Sequence, residues 1–386
     1  MVSDKSVRAL VLVTDAYGGR GGIALYLRNL IQAVCEYPGM ERVVAVPRKI
    51  YYDLEKRPTN LDYNVEAAGG KIKYLITCIK VAVTEGRFDF ILCGHLHLLP
   101  LAWALSLRYR CPVVPVIYGR EAWTPTQHKL ANYLCSKLDT FISIRRLTAR
   151  RLIEWARIPH ENYYYLPNCI DRTQYGVRPP RPDLLERYGL TGKTVVMTSG
   201  RLDVGNDLNK GFDEVIEILP DLRKRISNLA YLVMGDGEDR LRLEAKAKCL
   251  GVDDITVFTG YISEVEKADH YRLAHAFAMP GSNPAFDRYP YRFVFLEALA
   301  CGVPVVGAKL EDAWEINDPD TSLIIQVDPS DKNQIIEGIV KALSQPKGVI
   351  QPTLEKFYYE GFREKFHGIV GKILMKSNAN LNGSHV

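Results

Sequence analysis

Residues 7–14 read VRALVLVT, an apolar run that does not alternate with polar positions. A strand of that kind is buried on both faces, as in parallel sheets covered by helices on either side. The next eight residues, DAYGGRGG, hold four glycines, and 23–34 then place Ile23, Leu27, Leu30, Ile31 and Val34 at helical spacing. Strand, glycine loop and helix in that order open a βαβ unit. A parallel sheet needs further units downstream.

They follow twice over. In the first half, 43–46, 90–93, 113–117 and 140–144 read as strands, and 73–83, 99–107 and 147–156 as helices. Residues 171–183 (DRTQYGVRPPRPD) are rich in Pro, Arg and turn formers and mark a linker. A second series places strands at 195–199, 230–234, 255–259, 276–279, 303–307 and 322–326, with helices at 212–219, 240–250 and 293–300. The fold class expected is α/β, with two doubly wound Rossmann-like domains at 1–168 and 169–350. A helix over 355–375 carries the stripe Tyr358, Phe362, Phe366, Ile369 and Ile373. An apolar stripe so late in the chain needs a surface to cover. The segment 351–376 is therefore expected to pack back toward the first domain, with 377–386 as a disordered tail.

Composition narrows the function. The net charge is +5, too small to imply nucleic-acid binding. No run of 18 apolar residues suggests a membrane span, and the polar start suggests no secretory leader. Eight scattered cysteines without a C-x-x-C pair read as reduced thiols of a cytoplasmic protein, and no metal site is expected.

Chemistry concentrates at a few points. In 292–307 (RFVFLEALACGVPVVG), Glu297 is the one carboxylate of an apolar helix that Cys301-Gly302 ends. Either it has a buried partner or it faces water. The loop Gly18–Gly22 either receives an anion at a helix N-terminus or only tightens packing. Dinucleotide binding is disfavoured, because the second strand ends Val46-Pro47-Arg48-Lys49 rather than in an acid. Arg201, after one strand, and Lys210, before the next helix, could converge on a diphosphate at the sheet edge. Gly235-Asp236-Gly237-Glu238 reads as a tight turn opening a nucleoside pocket rather than a metal loop. Arg145, Arg146, Arg150, Arg151 and Arg157 form a basic helix, either a solvated face or a contact for an anionic membrane. Trp123 reads as packing, and His128 and His160 receive no role.

Together these residues resemble the retaining glycosyltransferases of family four, which have the two-domain GT-B fold, its two sheets facing a cleft. The resemblance rests on Gly18-Gly19, Leu166-Pro167-Asn168, Gly200-Arg201 with Lys210-Gly211, Gly235-Asp236-Gly237, Phe258-Thr259-Gly260-Tyr261 and, most specifically, 293–307. It implies that Arg201 and Lys210 bind the diphosphate of a nucleotide-sugar donor and that Glu297 accepts the ribose hydroxyls. Gly235, Asp236 and Tyr261 would flank the base, and Gly18 and Gly19 would face the phosphates. His95 would face the sugar. The family carries a second Glu eight residues before Glu297, where this chain has Tyr289. Asp287 or Tyr289 would take the sugar hydroxyls in its place, and Tyr291 and Arg292 are further candidates for binding the donor. The reaction implied needs no metal and no cofactor. It moves a hexose, from a UDP-sugar, to a glycan or lipid-linked saccharide in polysaccharide synthesis, in the cytoplasm or at the inner membrane face. A catalytically impaired nucleotide-binding protein and a sugar-nucleotide epimerase of the same fold are the alternatives.

Overall fold

The computed structural model describes residues 6–203, 210–281, 293–309 and 323–383, with side chains to 379. The chain divides into two compact units. One is Met1–Cys169 with Tyr359–Val386, and the other is Ile170–Tyr358.

The first unit begins with β1 (Val7–Val13), α1 (Gly22–Cys35), β2 (Met40–Pro47), β3 (Leu61–Tyr63), α2 (Lys71–Thr84) and β4 (Phe90–Cys93). It continues through α3 (Leu99–Tyr109), β5 (Val113–Ile117), α4 (Lys129–Cys135), β6 (Phe141–Ser143), α5 (Arg146–Ala156) and β7 (Tyr163–Tyr165). The described strands form one parallel sheet in the order β3-β2-β1-β4-β5-β6-β7. In β1, Ala9 to Val13 have no exposed surface, as an apolar run covered on both faces requires.

The second unit contains α6 (Pro182–Arg187), β8 (Thr194–Ser199), α7 (Phe212–Arg225), β9 (Leu229–Met234), α8 (Arg240–Cys249) and β10 (Thr256–Phe258). After these come α9 (Lys267–Tyr271), β11 (Ala276–Met279), α10 (Phe293–Ala300), β12 (Val305–Ala308), β13 (Ile324–Val327) and α11 (Lys332–Ser344). Its described strands are also all parallel, in the order β10-β9-β8-β11-β12-β13. Both sheets are doubly wound. Strand order reverses between β1 and β4 in one and between β8 and β11 in the other.

The last helix, α12 (Tyr359–Gly383), belongs to the first unit and packs on α1. Phe362, Phe366, Ile369 and Ile373 enter that unit's core, with Phe362 edge-on to Tyr26 at 5.6 Å between ring centroids. Each such buried side chain contributes about 2 kcal/mol from the apolar area it removes from water. Two expectations need correction. Tyr358, read as part of this stripe, precedes the helix and sits in the second unit's core. Ser377–Gly383, read as a disordered tail, continue the helix, because no Gly or Pro stops the chain between 372 and 382.

All eight cysteines are free thiols, and only Cys249 is exposed. Helix α10 ends where the sequence places its stop. Gly302 adopts φ 72°, and its N–H bonds the Leu299 carbonyl at 2.9 Å. A Cβ there would lie 2.6 Å from the Cα of Gly348. Gly302→Ala is therefore expected to lower stability by about 2 kcal/mol or more, through left-handed strain plus the clash. Thermal unfolding measures it; an unchanged midpoint would contradict this account of the helix stop.

Candidate active site

Doubly wound sheets leave a crevice at the carboxyl ends of their strands, where strand order reverses. In the first unit the loops after β1 and β4 flank that point. They carry the glycine loop and His95.

The glycines divide into two pairs. Gly18 has φ 83°, and a Cβ on it would meet the Tyr52 carbonyl oxygen at 2.8 Å. Its N–H donates to the Glu55 carboxylate at 2.8 Å, and Gly19 N–H donates to the Ala16 carbonyl at 3.1 Å. Arg28 ties this turn together, bonding Gly19 O at 2.9 Å and Glu55 Oε1 at 2.8 Å. Gly18 and Gly19 are thus packed and partnered. A Cβ on Gly21 or Gly22, by contrast, would meet no atom within 4 Å, and Gly22 starts α1. The open helix N-terminus is at Gly21–Gly22, two residues beyond the pair that the resemblance singled out. A groove of about 620 Å³ adjoins the loop, lined by Gly19, Arg20, Ile50, Tyr51, Tyr52, Asp53 and Glu55.

His95 caps the turn after β4. Its Nδ1 accepts from the His97 N–H at 3.1 Å, which leaves Nε2 to carry the proton of the neutral ring. Burial lowers its pKa, and His97 and Arg48 add to that while Glu121 opposes it. His97 also meets His128 edge-on, with centroids 5.2 Å apart. Nothing in the sequence links these rings, which lie on separate elements. Glu121 is structural here, accepting from the Tyr118 and Gly119 N–H groups at 2.6 and 3.0 Å.

In the second unit the backbones at the strand ends are stacked directly on one another. Gly200 N–H bonds Met234 O, and Leu202 N–H bonds Asp236 O, both at 2.9 Å. A Cβ on Gly235 would lie 2.0 Å from Gly200 O, and one on Gly237 would lie 2.2 Å from Leu202 O. These glycines bring the exits of β8 and β9 together. Arg201 and Lys210 do converge: Arg201 Nη2 is 3.3 Å and Lys210 Nζ 3.7 Å from Asp203 Oδ2. Lys210 Nζ also donates to the Arg201 carbonyl, and its stem lies on Gly200. Gly211 then caps the N-terminus of α7. The Arg201 side chain is 77% exposed and available to a ligand. Asp236 is half-exposed, its carboxylate accepting from Gly237 N–H at 3.0 Å. Tyr261, 63% exposed, follows Gly260 at the same sheet edge.

Glu297 does not face water. It has no exposed surface, and its oxygens are held by three side chains. Tyr175 Oη donates to Oε1 at 2.9 Å, Tyr271 Oη to Oε2 at 2.7 Å, and Lys267 Nζ lies 3.2 Å from Oε1. Burial works against the charge of Lys267, but Glu297 and Glu264 outweigh it and hold its pKa up. Burial pushes the Tyr271 phenol up strongly, the Glu297 charge adds to this, and a hydrogen bond with Ser199 opposes it. The sequence flags none of these three partners, because Lys267 and Tyr271 come from α9 and Tyr175 from the segment before α6, all distant from Glu297 in the chain. Asp287, Tyr289, Tyr291 and Arg292 lie outside the described residues.

The basic helix is less basic at its surface than it reads. Arg145 is buried at 3% exposure. Arg146 lies over the Tyr165 ring at 4.9 Å, and Arg151 over Trp123 at 4.3 Å. Trp123 is a packing residue, its Nε1 donating to Thr148 Oγ1 at 3.2 Å. Arg146 is nevertheless exposed, as are Arg150 and Arg157.

Removing one member of a buried charge cluster leaves its partners uncompensated. Glu297→Leu is expected to cost about 3–5 kcal/mol, because it strands Lys267 and two hydroxyls. Tyr175→Phe, losing one hydrogen bond, should cost about 1 kcal/mol. Urea unfolding tests both, and equal losses would show that Glu297 is not the centre of the cluster.

The family models "Glycosyltransferase Family 4" and "Glycosyl transferases group 1" match residues 20–174 and 193–345. A GDP-mannose-dependent alpha-(1-6)-phosphatidylinositol monomannoside mannosyltransferase of Mycolicibacterium smegmatis is 28% identical over 88% of this chain and 90% of its own. One component of the Arabidopsis thaliana phosphatidylinositol N-acetylglucosaminyltransferase is 20% identical over 86% of this chain and 67% of its own. Among solved structures, Anabaena HepE in complex with UDP superposes with a TM-score of 0.70. It has 18% identity and covers 95% of this chain and 100% of its own. With two doubly wound parallel sheets and matching family models on both halves, the chain belongs to glycosyltransferase family 4 and is a hexosyltransferase of the GT-B fold.

Proposed function

We propose that this enzyme moves a hexose from a nucleoside-diphosphate sugar to a lipid-linked acceptor, with retention of configuration. The observation that carries the donor class is the convergence of Arg201 and Lys210 on Asp203, beside the start of α7. Two cations held by a single carboxylate can exchange it for a diphosphate, each contact worth about 1.5–3 kcal/mol. The donor C–O bond breaks toward the diphosphate, whose growing charge these cations stabilise. The same diphosphate takes the acceptor's proton as the new glycosidic bond forms, and no metal ion is part of this reading. Tyr261 and Asp236 flank the base. Glu297 either contacts the ribose, exchanging a present partner for it, or ties α10 to α9. His95, in the first unit, has the Nε2–H of a neutral ring to donate to a sugar hydroxyl.

For the sugar we favour mannose carried on GDP over the UDP-hexose that the sequence suggested. The support is that the relative from M. smegmatis, aligned along nearly its whole length, is named for that donor. The acceptor we propose is a phosphatidylinositol glycolipid, the substrate class in the names of both relatives given above. The groove beside the glycine loop offers the exposed Tyr51 ring and the Asp53 carboxylate to a saccharide, while Arg20 lies on the Tyr52 ring at 3.7 Å and Glu55 is held by Gly18 and Arg28.

A ligand that binds only the native state raises its melting temperature. GDP and GDP-mannose are expected to do so more than UDP and UDP-glucose at equal concentration; the reverse order would return the donor to a UDP-sugar. Arg201→Ala and Lys210→Ala should each cut transfer from radiolabelled donor to lipid by about tenfold or more, with unfolding unchanged. Near-normal turnover in either would refute the diphosphate assignment. Label that stays on the nucleotide as an isomerised sugar would identify an epimerase, and binding without turnover a catalytically impaired protein.

A further inference from the structure

Helix α2 is apolar on two opposite faces. Tyr74, Thr77, Cys78 and Val81 are buried against the sheet. Ile72, Leu75, Ile76, Ile79 and Val83 are exposed by 76, 48, 59, 54 and 78%. At about 100° per residue, these five fall within an arc of roughly 100°, directly opposite the buried four. The stripe therefore points straight away from the protein. It covers several hundred Å², a size that marks interaction surfaces on soluble proteins. Lys71 borders it on one side, and Lys73 and Lys80 on the other, all exposed. No Asp or Glu occurs between 71 and 84. Among neighbouring acids, Glu66 pairs with Lys80 at 3.2 Å, and Glu85 is taken by Arg8 and Arg42 at 2.6 and 3.0 Å. Val65, on the turn packed against α2, adds a further exposed aliphatic side chain.

We propose that this outer face of α2 docks the enzyme on an anionic lipid bilayer. The stripe is purely aliphatic and carries no group able to hydrogen-bond. Protein partners select aromatic and arginine anchors at the centre of an interface, and this stripe has none. An aliphatic stripe between rows of lysine is the pattern of a helix lying in the membrane interface. Lys71 and Lys73, exposed at its borders, can carry their charges to the lipid phosphates, and Lys80 can exchange Glu66 for one. This stands on the surface of the first unit alone and is independent of the donor and acceptor proposed above. It also relocates the membrane contact expected of α5, where one arginine is buried and two lie on aromatic rings.

The full chain is sedimented with vesicles of phosphatidylglycerol and phosphatidylcholine in equal parts, and with phosphatidylcholine alone. Partition is expected to be about tenfold or more stronger on the anionic vesicles and to weaken as salt rises. The double variant Ile76→Glu/Ile79→Glu should lose about tenfold or more of that partition. Its melting temperature and its thermal shift with nucleotide should match wild type, since both residues are exposed. Wild-type protein that stays in solution with anionic vesicles overturns the proposal, as does a variant that binds like wild type. Loss of binding in Arg150→Gln/Arg157→Gln but not in the α2 variant would place the contact on α5 and also overturn it. A wild-type dimer that the α2 variant disperses, without vesicle binding, would assign the stripe to a second copy of the chain instead. Nucleotide shifts that fail while vesicle binding holds would count against the donor reading only.

Discussion

The burial of both faces of each parallel sheet is the constraint from which the rest follows. Strands such as β1 and β9 have essentially no exposed side chain, so they offer no place for a polar ligand. Polar chemistry is confined to strand ends, where backbone N–H groups, helix N-termini and loop side chains meet. Both halves of the chain obey this. Gly21–Gly22 and His95 lie at the ends of β1 and β4, and Arg201 and Lys210 follow β8. The glycines of the second unit serve the same end. With Gly200 and Gly235 in backbone contact, no side chain separates the exits of two adjacent strands, and the loops they lead into share one small area of the edge.

Glu297 is the exception, a charge inside the apolar layer rather than at its edge. Desolvating a carboxylate costs several kcal/mol, and one weak partner would not offset that. Two phenols and an ammonium group together do. The arrangement reaches beyond α10. Through Tyr175, Lys267 and Tyr271 the carboxylate ties α10 to α9 and to the segment before α6. Lys267, one-fifth exposed at its side chain, is the only one of the three partners with appreciable solvent access. If a ribose hydroxyl engages Glu297, Lys267 is the partner it can exchange with at least cost, because the ammonium can return to water while Tyr175 and Tyr271 cannot.

What could be read from the sequence was what local chemistry determines. The two βα series, the stop at Gly302 and the pairing of Arg201 with Lys210 follow from periodicity, backbone strain and charge spacing within short windows. The short elements β3, β7, α4, α6 and α9 escaped, since three to seven residues carry too little periodicity, and the 13-residue α11 was missed although Ile335, Ile336 and Ile339 lie at helical spacing. The site was least legible where the partner is distant in sequence. Gly18 and Gly21 look alike in a string of glycines; only the carboxylate of Glu55, 37 residues on, separates the occupied N–H from the open turn. Likewise nothing around Glu297 names Tyr175, 122 positions away.

The basic helix and α2 show the same limit for surfaces. A count of arginines selects α5, yet a cation already stacked on an aromatic ring is partly desolvated, and moving it to a phosphate gives up that contact. Helix α2 reads as an ordinary core helix because its apolar residues recur at helical spacing. They do so on both sides, and periodicity alone does not distinguish a buried stripe from an exposed one. A helix that is apolar all round belongs either in a core or in lipid. Here one side is against the sheet, and the opposite side has lysines along its borders and no acid on the helix. Selection for solubility alone would put charges on that side. Keeping five aliphatic side chains there has an aggregation cost that a water-facing helix has no reason to bear.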